Sequence, residues 1–124
     1  MSESLRVLLV EDDQLLRQIL EQYLKRMGHT VYSAWTVEGA IKSLRVEQVD
    51  IVLLDILLNG SGEMGGLRVA GRTPRDIPIV VISGGDESRI RAEAARNPLT
   101  GVVHWLTKPF RFEQLTELFD TLTV

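Results

Sequence analysis

Short apolar runs rich in valine, isoleucine and leucine recur along the chain, and segments of helical periodicity lie between them. The runs occupy residues 5–10, 30–34, 49–54, 77–82 and 102–106. A continuous apolar run of this length is typical of a strand buried on both faces. Strands that alternate with helices are joined by right-handed crossovers and form a parallel sheet covered on both faces. The sequence therefore predicts a three-layer α/β fold with five parallel strands and five helices.

The helical segments differ in length and in the width of their apolar stripes. Helices are predicted over residues 14–27, 37–44, 86–96 and 112–122, with a short one between 66 and the Thr73-Pro74 interruption. The first helix ends at Gly28, and its apolar residues cover about half of its circumference, which is more than a core stripe needs. One edge of this helix, which carries Leu15 and Ile19, is therefore a candidate docking surface.

Composition narrows the class of protein. A chain of 124 residues forms one hydrophobic core, so residues 1–124 are expected to be a single domain. With 17 acidic and 14 basic residues the net charge is -3, which argues against a nucleic-acid backbone as direct partner. No cysteine is present, so any metal must bind to oxygen ligands or to histidine. Without a membrane span or the basic flank of a signal peptide, a cytoplasmic location without membrane insertion is expected.

Polar residues interrupt the apolar pattern at the predicted strand ends: Glu11-Asp12-Asp13, Asp55, Ser83-Gly84 and Lys108-Pro109. All carboxyl ends of a parallel sheet lie at the same edge, so these side chains are expected to share one crevice. Carboxylates placed together repel one another unless a cation neutralises them. Mg²⁺ prefers carboxylate oxygens and keeps waters and phosphate oxygens as its other ligands, so Glu11, Asp12 and Asp55 are candidate ligands, with Mn²⁺ able to replace Mg²⁺.

The same crevice predicts phosphoryl chemistry. Asp55 is a carboxylate beside a divalent ion, a hydroxyl and a lysine, which is the arrangement needed to accept a phosphoryl group. Lys108 and the metal would stabilise charge on the phosphoryl oxygens, and the Ser83 hydroxyl and the Gly84 N–H could donate to them.

The ordered motifs resemble those of the response-regulator receiver domain of two-component signalling. They are Val7-Leu-Leu-Val-Glu-Asp-Asp13, Asp55 after Ile-Val-Leu-Leu, Val81-Ile-Ser83-Gly84, and Trp105-Leu-Thr-Lys-Pro-Phe110. The resemblance implies a flavodoxin-like fold and a phosphorelay switch that accepts a phosphoryl group on Asp55 in a Mg²⁺-dependent reaction. The switch would assist only its own phosphorylation and dephosphorylation, and it would be either a stand-alone protein or part of a larger one.

The resemblance also assigns roles to single residues. The assigned positions are the Mg²⁺ ligands Glu11, Asp12, Asp55 and the Leu57 backbone carbonyl, the phosphate-pairing Lys108, and the switch pair Ser83 and Trp105. Lys108-Pro109 resembles the cis peptide of the family, and kinase partners of the family dock near the helix that carries Leu15 and Ile19. The expected partners are a histidine kinase or phosphotransfer protein, a downstream protein target, and a second copy in a phosphorylation-dependent dimer.

The chain departs from the family pattern at three places. Asn59 replaces the usual proline, and the glycine-rich loop over residues 59–66 is about three residues longer than usual. Gly84 replaces the usual alanine, a change that leaves the backbone donor intact. Leu57 and Gly85 occupy the positions that help to govern hydrolysis in the family, and neither can orient an attacking water, so slow autodephosphorylation is expected.

Other interpretations remain. A phosphorylation-independent binding module would be expected to lack an acidic or lysine position, and none is lacking. A small aspartyl-phosphate hydrolase would need an acid two residues after Asp55, where the chain has Leu57. Residues 60–65 fit the G-x-G-x-x-G pattern of nucleotide-binding loops, but they precede the third helix, which is short. His29 and His104 have no second ligand at metal spacing and are interpreted as structural.

Overall fold

One parallel sheet organises the chain, which a computed structural model describes over residues 4–56, 65–84 and 103–122. The strands lie in the order β2-β1-β3-β4-β5. Their bounds are β1 Arg6–Val10, β2 Thr30–Ala34, β3 Ile51–Asp55, β4 Ile79–Ser83 and β5 Val103–Thr107. Every neighbouring pair is parallel, as the alternation of strands and helices predicted. The predicted α/β class and the five-stranded parallel sheet are therefore confirmed.

Helices cover both faces of this sheet. Those in the described residues are α1 Gln14–Arg26, α2 Val37–Val46, α3 Gly65–Gly71 and α4 Phe112–Leu122. The helix predicted over 86–96 lies outside the described residues. Alternate strand residues face opposite layers because side chains along a strand point to opposite faces. Leu8 and Leu54 pack with α2 and α3, whereas Leu9 and Leu53 pack with α1 and α4.

Local capping fixes where α1 and α2 begin and where α1 ends. The Asp13 carboxylate accepts the Leu16 N–H at 3.1 Å, and the Thr36 hydroxyl accepts the Gly39 N–H at 3.0 Å. Gly28 follows α1 with φ 95°, a conformation that favours glycine. The Asp13 side chain therefore caps α1, and this distinguishes Asp13 from Glu11 and Asp12, the two acids before it.

The strand bounds differ from the sequence prediction by one or two residues. β3 begins at Ile51 rather than 49, and the Asp50 carboxylate accepts the Arg6 N–H at 2.8 Å, where a strand carbonyl would otherwise pair. β4 begins after Pro78, which has no N–H to donate. Within the described ranges no helix is long and apolar enough to cross a membrane, and the cytoplasmic location stays a prediction.

His29 joins the end of α1 to β1 and α4, in agreement with its interpretation as structural. Its Nδ1 accepts the Leu5 N–H at 3.0 Å, and its ring lies 5.5 Å from the Phe119 ring centroid. Burial lowers the pKa of His29 below 6.5, while the charge of Asp120 opposes the shift. Protonation would replace the acceptor at Nδ1 by a donor facing another donor. The neutral ring is therefore the form that the fold stabilises.

We expect acid to destabilise the fold through His29. Because the folded state lowers the pKa, this contribution is complete above about pH 6.5 and decreases as pH falls below that value. His29→Asn keeps an acceptor without a titration in this range. Urea unfolding at pH 7.5 and 5.5 should show a smaller loss of stability in His29→Asn than in wild type, by at most about 1.4 kcal/mol per pH unit. Equal losses would contradict the role of His29.

Candidate functional site

The site forms where the order of the strands reverses. β1 lies between β2 and β3, and the chain leaves β1 toward β2 but returns to β3 on the other side. Such a switch point opens a crevice at the carboxyl ends of the strands. Val10 pairs with Leu54, so Glu11, which directly follows β1, and Asp55, the last residue of β3, lie side by side. The parallel register therefore brings together acids that are far apart in the sequence.

Three carboxylates meet in this crevice. One oxygen each from Glu11, Asp12 and Asp55 lies within 4.8 Å of the others. Glu11 is fully buried and Asp55 is 6% exposed. Burial, and then the adjacent Asp55 carboxylate, raise the pKa of Glu11 to about 8, against the opposing charge of Lys108. A hard divalent cation that binds to these carboxylates would relieve the electrostatic repulsion between them.

Lys108 supplies the positive charge of the site. Its Nζ lies 3.3 Å from Asp55 Oδ2 and 3.7 Å from Glu11 Oε1. The Lys108 N–H donates to the Ser83 carbonyl at 2.8 Å, which fixes the start of the connection from β5 to α4 against the end of β4. The Lys108-Pro109 peptide is cis, as the family resemblance implied. The sequence-predicted residues Asp55, Glu11 and Lys108 therefore form one contact cluster.

Ser83 and Gly84 lie at the end of β4 beside this cluster. Ser83 is 1% exposed, and its hydroxyl has no hydrogen-bond partner among the described residues. A Cβ added at Gly84 would lie 3.4 Å from Lys108 Cδ, which is an ordinary contact. The backbone at Gly84 thus has room for the alanine that is usual in the family.

Three of the remaining predicted positions lie on β5 and α1: Trp105, Leu15 and Ile19. Trp105 is partly buried and packs with the α2 and α3 layer, and it pairs with Val81, two residues before Ser83. Leu15 is 68% exposed and Ile19 is 42% exposed on α1. Leu57, Asn59 and Gly85, and with them the Leu57 carbonyl and most of the 59–66 loop, lie outside the described residues.

An apolar hollow of about 510 Å³ borders the site. Its lining comes from α1, from the residue after β4, and from the segment between Lys108 and the first residue of α4: Leu16, Gly84, Lys108, Pro109, Phe110 and Phe112. At about 100° per residue, Ile19 lies between Leu15 and Leu16 around α1. The exposed apolar edge of α1 and this hollow therefore form one continuous surface next to Lys108.

Sequence reasoning did not single out Arg17 and Trp35, yet both lie beside the Glu11-Asp12-Asp13 segment. Arg17 Nη1 donates to the Glu11 carbonyl at 3.0 Å, and its guanidinium carbon lies 4.9 Å from the centroid of the Trp35 ring. The sequence feature that could have pointed to Arg17 is its spacing from Glu21, which makes the two an i, i+4 ion pair on α1. Their charged atoms are 3.8 Å apart.

The other candidate ligands do not join the site. Among residues 4–56, 65–84 and 103–122, the group of potential metal ligands that meet contains Glu11, Asp12 and Asp55, and neither His29 nor His104 belongs to it. α3, which follows the G-x-G-x-x-G segment, has seven residues. This length agrees with the predicted short helix and leaves little support for a dinucleotide site, which needs a substantial helix.

Comparison with known proteins identifies one protein family that this chain matches. The family model for the response regulator receiver domain matches residues 7–120. The regulatory protein VanR of Enterococcus faecium is 28% identical over 108 residues, which are 86% of this chain and 44% of VanR. The chain thus spans less than half the length of that relative.

Solved structures show the same fold. The receiver domain of the Francisella response regulator 1452 has a TM-score of 0.77 at 19% identity, with 97% of each chain covered. A response regulator from Thermotoga maritima has a TM-score of 0.77 at 23% identity, with 98% of each chain covered. A Burkholderia pseudomallei response regulator solved with a phosphorylated aspartic acid, calcium ion and citrate has a TM-score of 0.76 at 21% identity, with coverage of 95% of this chain and 68% of that chain.

Proposed function

Because the chain belongs to the response-regulator receiver family, we propose that it is a phosphorylation-controlled switch with Asp55 as the phosphoacceptor. The observation that carries this proposal is the cluster at the sheet edge, in which Lys108 Nζ lies 3.3 Å from Asp55 and two further carboxylates lie within 4.8 Å. The donor is a histidine kinase or phosphotransfer protein. The chain assists its own phosphorylation and dephosphorylation, and its output is a changed protein-binding surface.

The acidic trio fits a divalent cation. Glu11 Oε1 is buried without a hydrogen-bond partner in the described part of the chain, next to two more carboxylates. Oxygen ligands of this kind select Mg²⁺, which Mn²⁺ can replace. Glu11, Asp12 and Asp55 would hold the ion, with the Leu57 carbonyl as a further ligand. When bound, the ion supplies positive charge that stabilises the transferring phosphoryl group.

The side chains around Asp55 suit the transfer. An Asp55 carboxylate oxygen bonds to phosphorus as the bond from phosphorus to the donor histidine nitrogen breaks, and the freed imidazole keeps that electron pair and takes up a proton. Lys108 pairs with a phosphoryl oxygen, and the Ser83 hydroxyl and Gly84 N–H donate to the others. The buried Ser83 hydroxyl, unpaired among the described residues, is available for this bond.

The same contact supplies the switch. Movement of Ser83 toward the phosphoryl group would free space at the end of β4 and let Trp105 turn inward, since Trp105 lies on the neighbouring strand. Phosphorylation then shifts the population between two arrangements of this edge of the fold. A downstream protein, or a second copy of the chain, reads the difference.

The test is the intact mass of the purified chain after incubation with acetyl phosphate and Mg²⁺. Wild type should gain one phosphoryl group, and neither Asp55→Asn nor a metal-chelated sample should gain any. Replacement of Leu57 by Asn and Gly85 by Glu should shorten the phosphoryl lifetime, because those side chains can orient water. A folded, Mg²⁺-binding wild type that gains no mass from acetyl phosphate or from histidine kinases would favour a phosphorylation-independent module.

The apolar edge of α1 is proposed as the surface that receives the phosphodonor protein. Leu15 and Ile19 are exposed, and the hollow beside them reaches Lys108, so a helix docked here would bring its histidine to Asp55. Leu15→Ser with Ile19→Ser should lower kcat/KM for transfer from a histidine kinase about tenfold, as expected for central interface residues.

Acetyl phosphate separates docking from chemistry, because it needs no protein surface. The α1 double variant should therefore be phosphorylated by acetyl phosphate at the wild-type rate. Val46, 64% exposed at the end of α2, provides the matched control, and Val46→Ser should leave both donors unaffected. A wild-type rate of transfer from the kinase to the double variant would exclude this docking surface.

A further inference from the structure

Arg17 connects α1 to the loop that carries two of the acids. β1 ends at Val10, and the Glu11 carbonyl beyond it accepts Arg17 Nη1 at 3.0 Å. The Glu11 N–H donates to the Ala34 carbonyl at 3.0 Å. A peptide unit is planar, so a bond to the Glu11 carbonyl sets the plane from which the Asp12 Cα departs. The orientation of Asp12 is thus coupled to the position of the Arg17 side chain.

Two neighbours hold Arg17 in this position. Its guanidinium carbon lies 4.9 Å from the centroid of the Trp35 ring, and its Nε lies 3.8 Å from Glu21 Oε1. Glu21 Oε1 also accepts the Ser33 hydroxyl at 2.7 Å. The Arg17 side chain is only 14% exposed as a result. Trp35 directly follows β2, and Glu21 contacts Ser33 of β2, the strand whose Ala34 carbonyl also accepts the Glu11 N–H.

These contacts close a ring that runs through the backbone of Glu11. Trp35 follows Ala34 in the chain, Ala34 accepts the Glu11 N–H, Glu11 accepts Arg17, and Arg17 lies over Trp35. Trp35 is 57% exposed, so its ring contributes less to the core than a buried tryptophan would. The contact of the Trp35 ring with Arg17 instead holds the Arg17 guanidinium in place.

We propose that Arg17, clamped by Trp35 and Glu21, is a positioning residue for the divalent cation site. It acts through the Glu11 carbonyl and touches neither the ion nor the phosphoryl group. The inference rests on the proposed function, because it assumes that Glu11, Asp12 and Asp55 hold the ion. Outer contacts that orient metal ligands typically change metal affinity by a factor of about 10 to 100.

The positive charge of Arg17 and its positioning of the Glu11 carbonyl have opposite effects on the affinity for Mg²⁺. The positive charge of Arg17 repels a cation, so removing it would strengthen binding, whereas losing the position of the Glu11 peptide would weaken it. Trp35→Ala changes no charge and leaves Arg17 without its aromatic face. Arg17→Lys keeps the charge but loses the planar fork that spans the carbonyl and the ring. These two variants therefore isolate positioning.

The experiment is calorimetric titration of the full chain with Mg²⁺ alone, for wild type, Trp35→Ala, Trp35→Phe, Arg17→Lys and Arg26→Lys. Trp35→Ala and Arg17→Lys should bind Mg²⁺ about tenfold more weakly. Trp35→Phe retains an aromatic face and should stay within about twofold of wild type. Arg26→Lys, exposed in the last turn of α1, is the matched control and should bind as wild type does.

Two further readouts separate positioning from loss of structure. The metal-free unfolding temperature of Trp35→Ala should fall by no more than the few degrees that loss of one cation–π contact causes, and at saturating Mg²⁺ its phosphorylation rate with acetyl phosphate should recover. Wild-type affinity in both Trp35→Ala and Arg17→Lys would overturn the inference, and so would a larger fall in the metal-free unfolding temperature that accounts for the affinity loss. Undiminished binding in Asp12→Asn would instead contradict the proposed metal site.

Discussion

Replacement of Lys108 by methionine is expected to lower the rate of phosphorylation by acetyl phosphate by about 100-fold to 1000-fold at saturating Mg²⁺. The Nζ atom lies 3.3 Å from Asp55 Oδ2, where charge develops on the incoming phosphoryl oxygens. Loss of one preorganised donor at such a position has an effect of this size. Methionine keeps an unbranched stem beside Gly84, so the loss reports the charge rather than the packing.

The same substitution should strengthen Mg²⁺ binding. Lys108 Nζ also lies 3.7 Å from Glu11 Oε1, beside the three carboxylates. Removal of its positive charge lowers the electrostatic repulsion of a bound cation, so the affinity for Mg²⁺ should rise by about threefold or more. Lys42→Met, on the exposed side of α2, is the matched control and should change neither quantity. A Lys108→Met rate within a few-fold of wild type would show that the lysine does not act on the phosphoryl group.

Replacement of Gly66 by alanine is expected to destabilise the fold by about 3 kcal/mol and to lower the midpoint of thermal unfolding by about 10 °C. A Cβ at this position would lie 2.5 Å from both Cα and O of Ile56. These are backbone atoms of the residue that follows Asp55, so a change of side-chain rotamer cannot relieve the contact. The Gly66 N–H donates to the Ile56 carbonyl at 3.0 Å, so the clash would also displace the segment after Asp55.

Gly71 provides a control within the same helix. A Cβ there meets nothing within 4 Å, and the backbone is helical, so Gly71→Ala should be neutral or stabilising by up to about 1 kcal/mol. Thermal unfolding followed by circular dichroism measures both variants. If Gly66→Ala unfolded at the temperature of Gly71→Ala, the close approach of α3 to Ile56 would be incorrect.

The site residues that could be predicted from the sequence are those that lie at the carboxyl ends of the predicted strands. The apolar runs predicted the sheet, and parallel register then required Glu11 and Asp55 to be neighbours. The end of the first helix at Gly28 was predicted because the local chemistry of such a stop has few alternatives.

Contacts between separate elements could not be predicted in this way. Arg17 reads in the sequence as one more polar residue on a helix, and only the packing of α1 against β2 brings it to the Glu11 carbonyl and the Trp35 ring. The first residue of β3 was missed because the Asp50 carboxylate binds the Arg6 N–H, a contact over 44 residues. The need for glycine at position 66 is a third example, since it depends on how closely α3 approaches Ile56.

The most direct test of the account is to locate the phosphoryl group. Wild type phosphorylated by acetyl phosphate with Mg²⁺ is reduced with borohydride, which converts an aspartyl phosphate to homoserine, and the modified residue is found by peptide mass spectrometry. We predict homoserine at position 55 alone, and none when Mg²⁺ is chelated. Homoserine at Asp12 or Asp13 with an unmodified Asp55 would contradict the assignment of Asp55 as the phosphoacceptor.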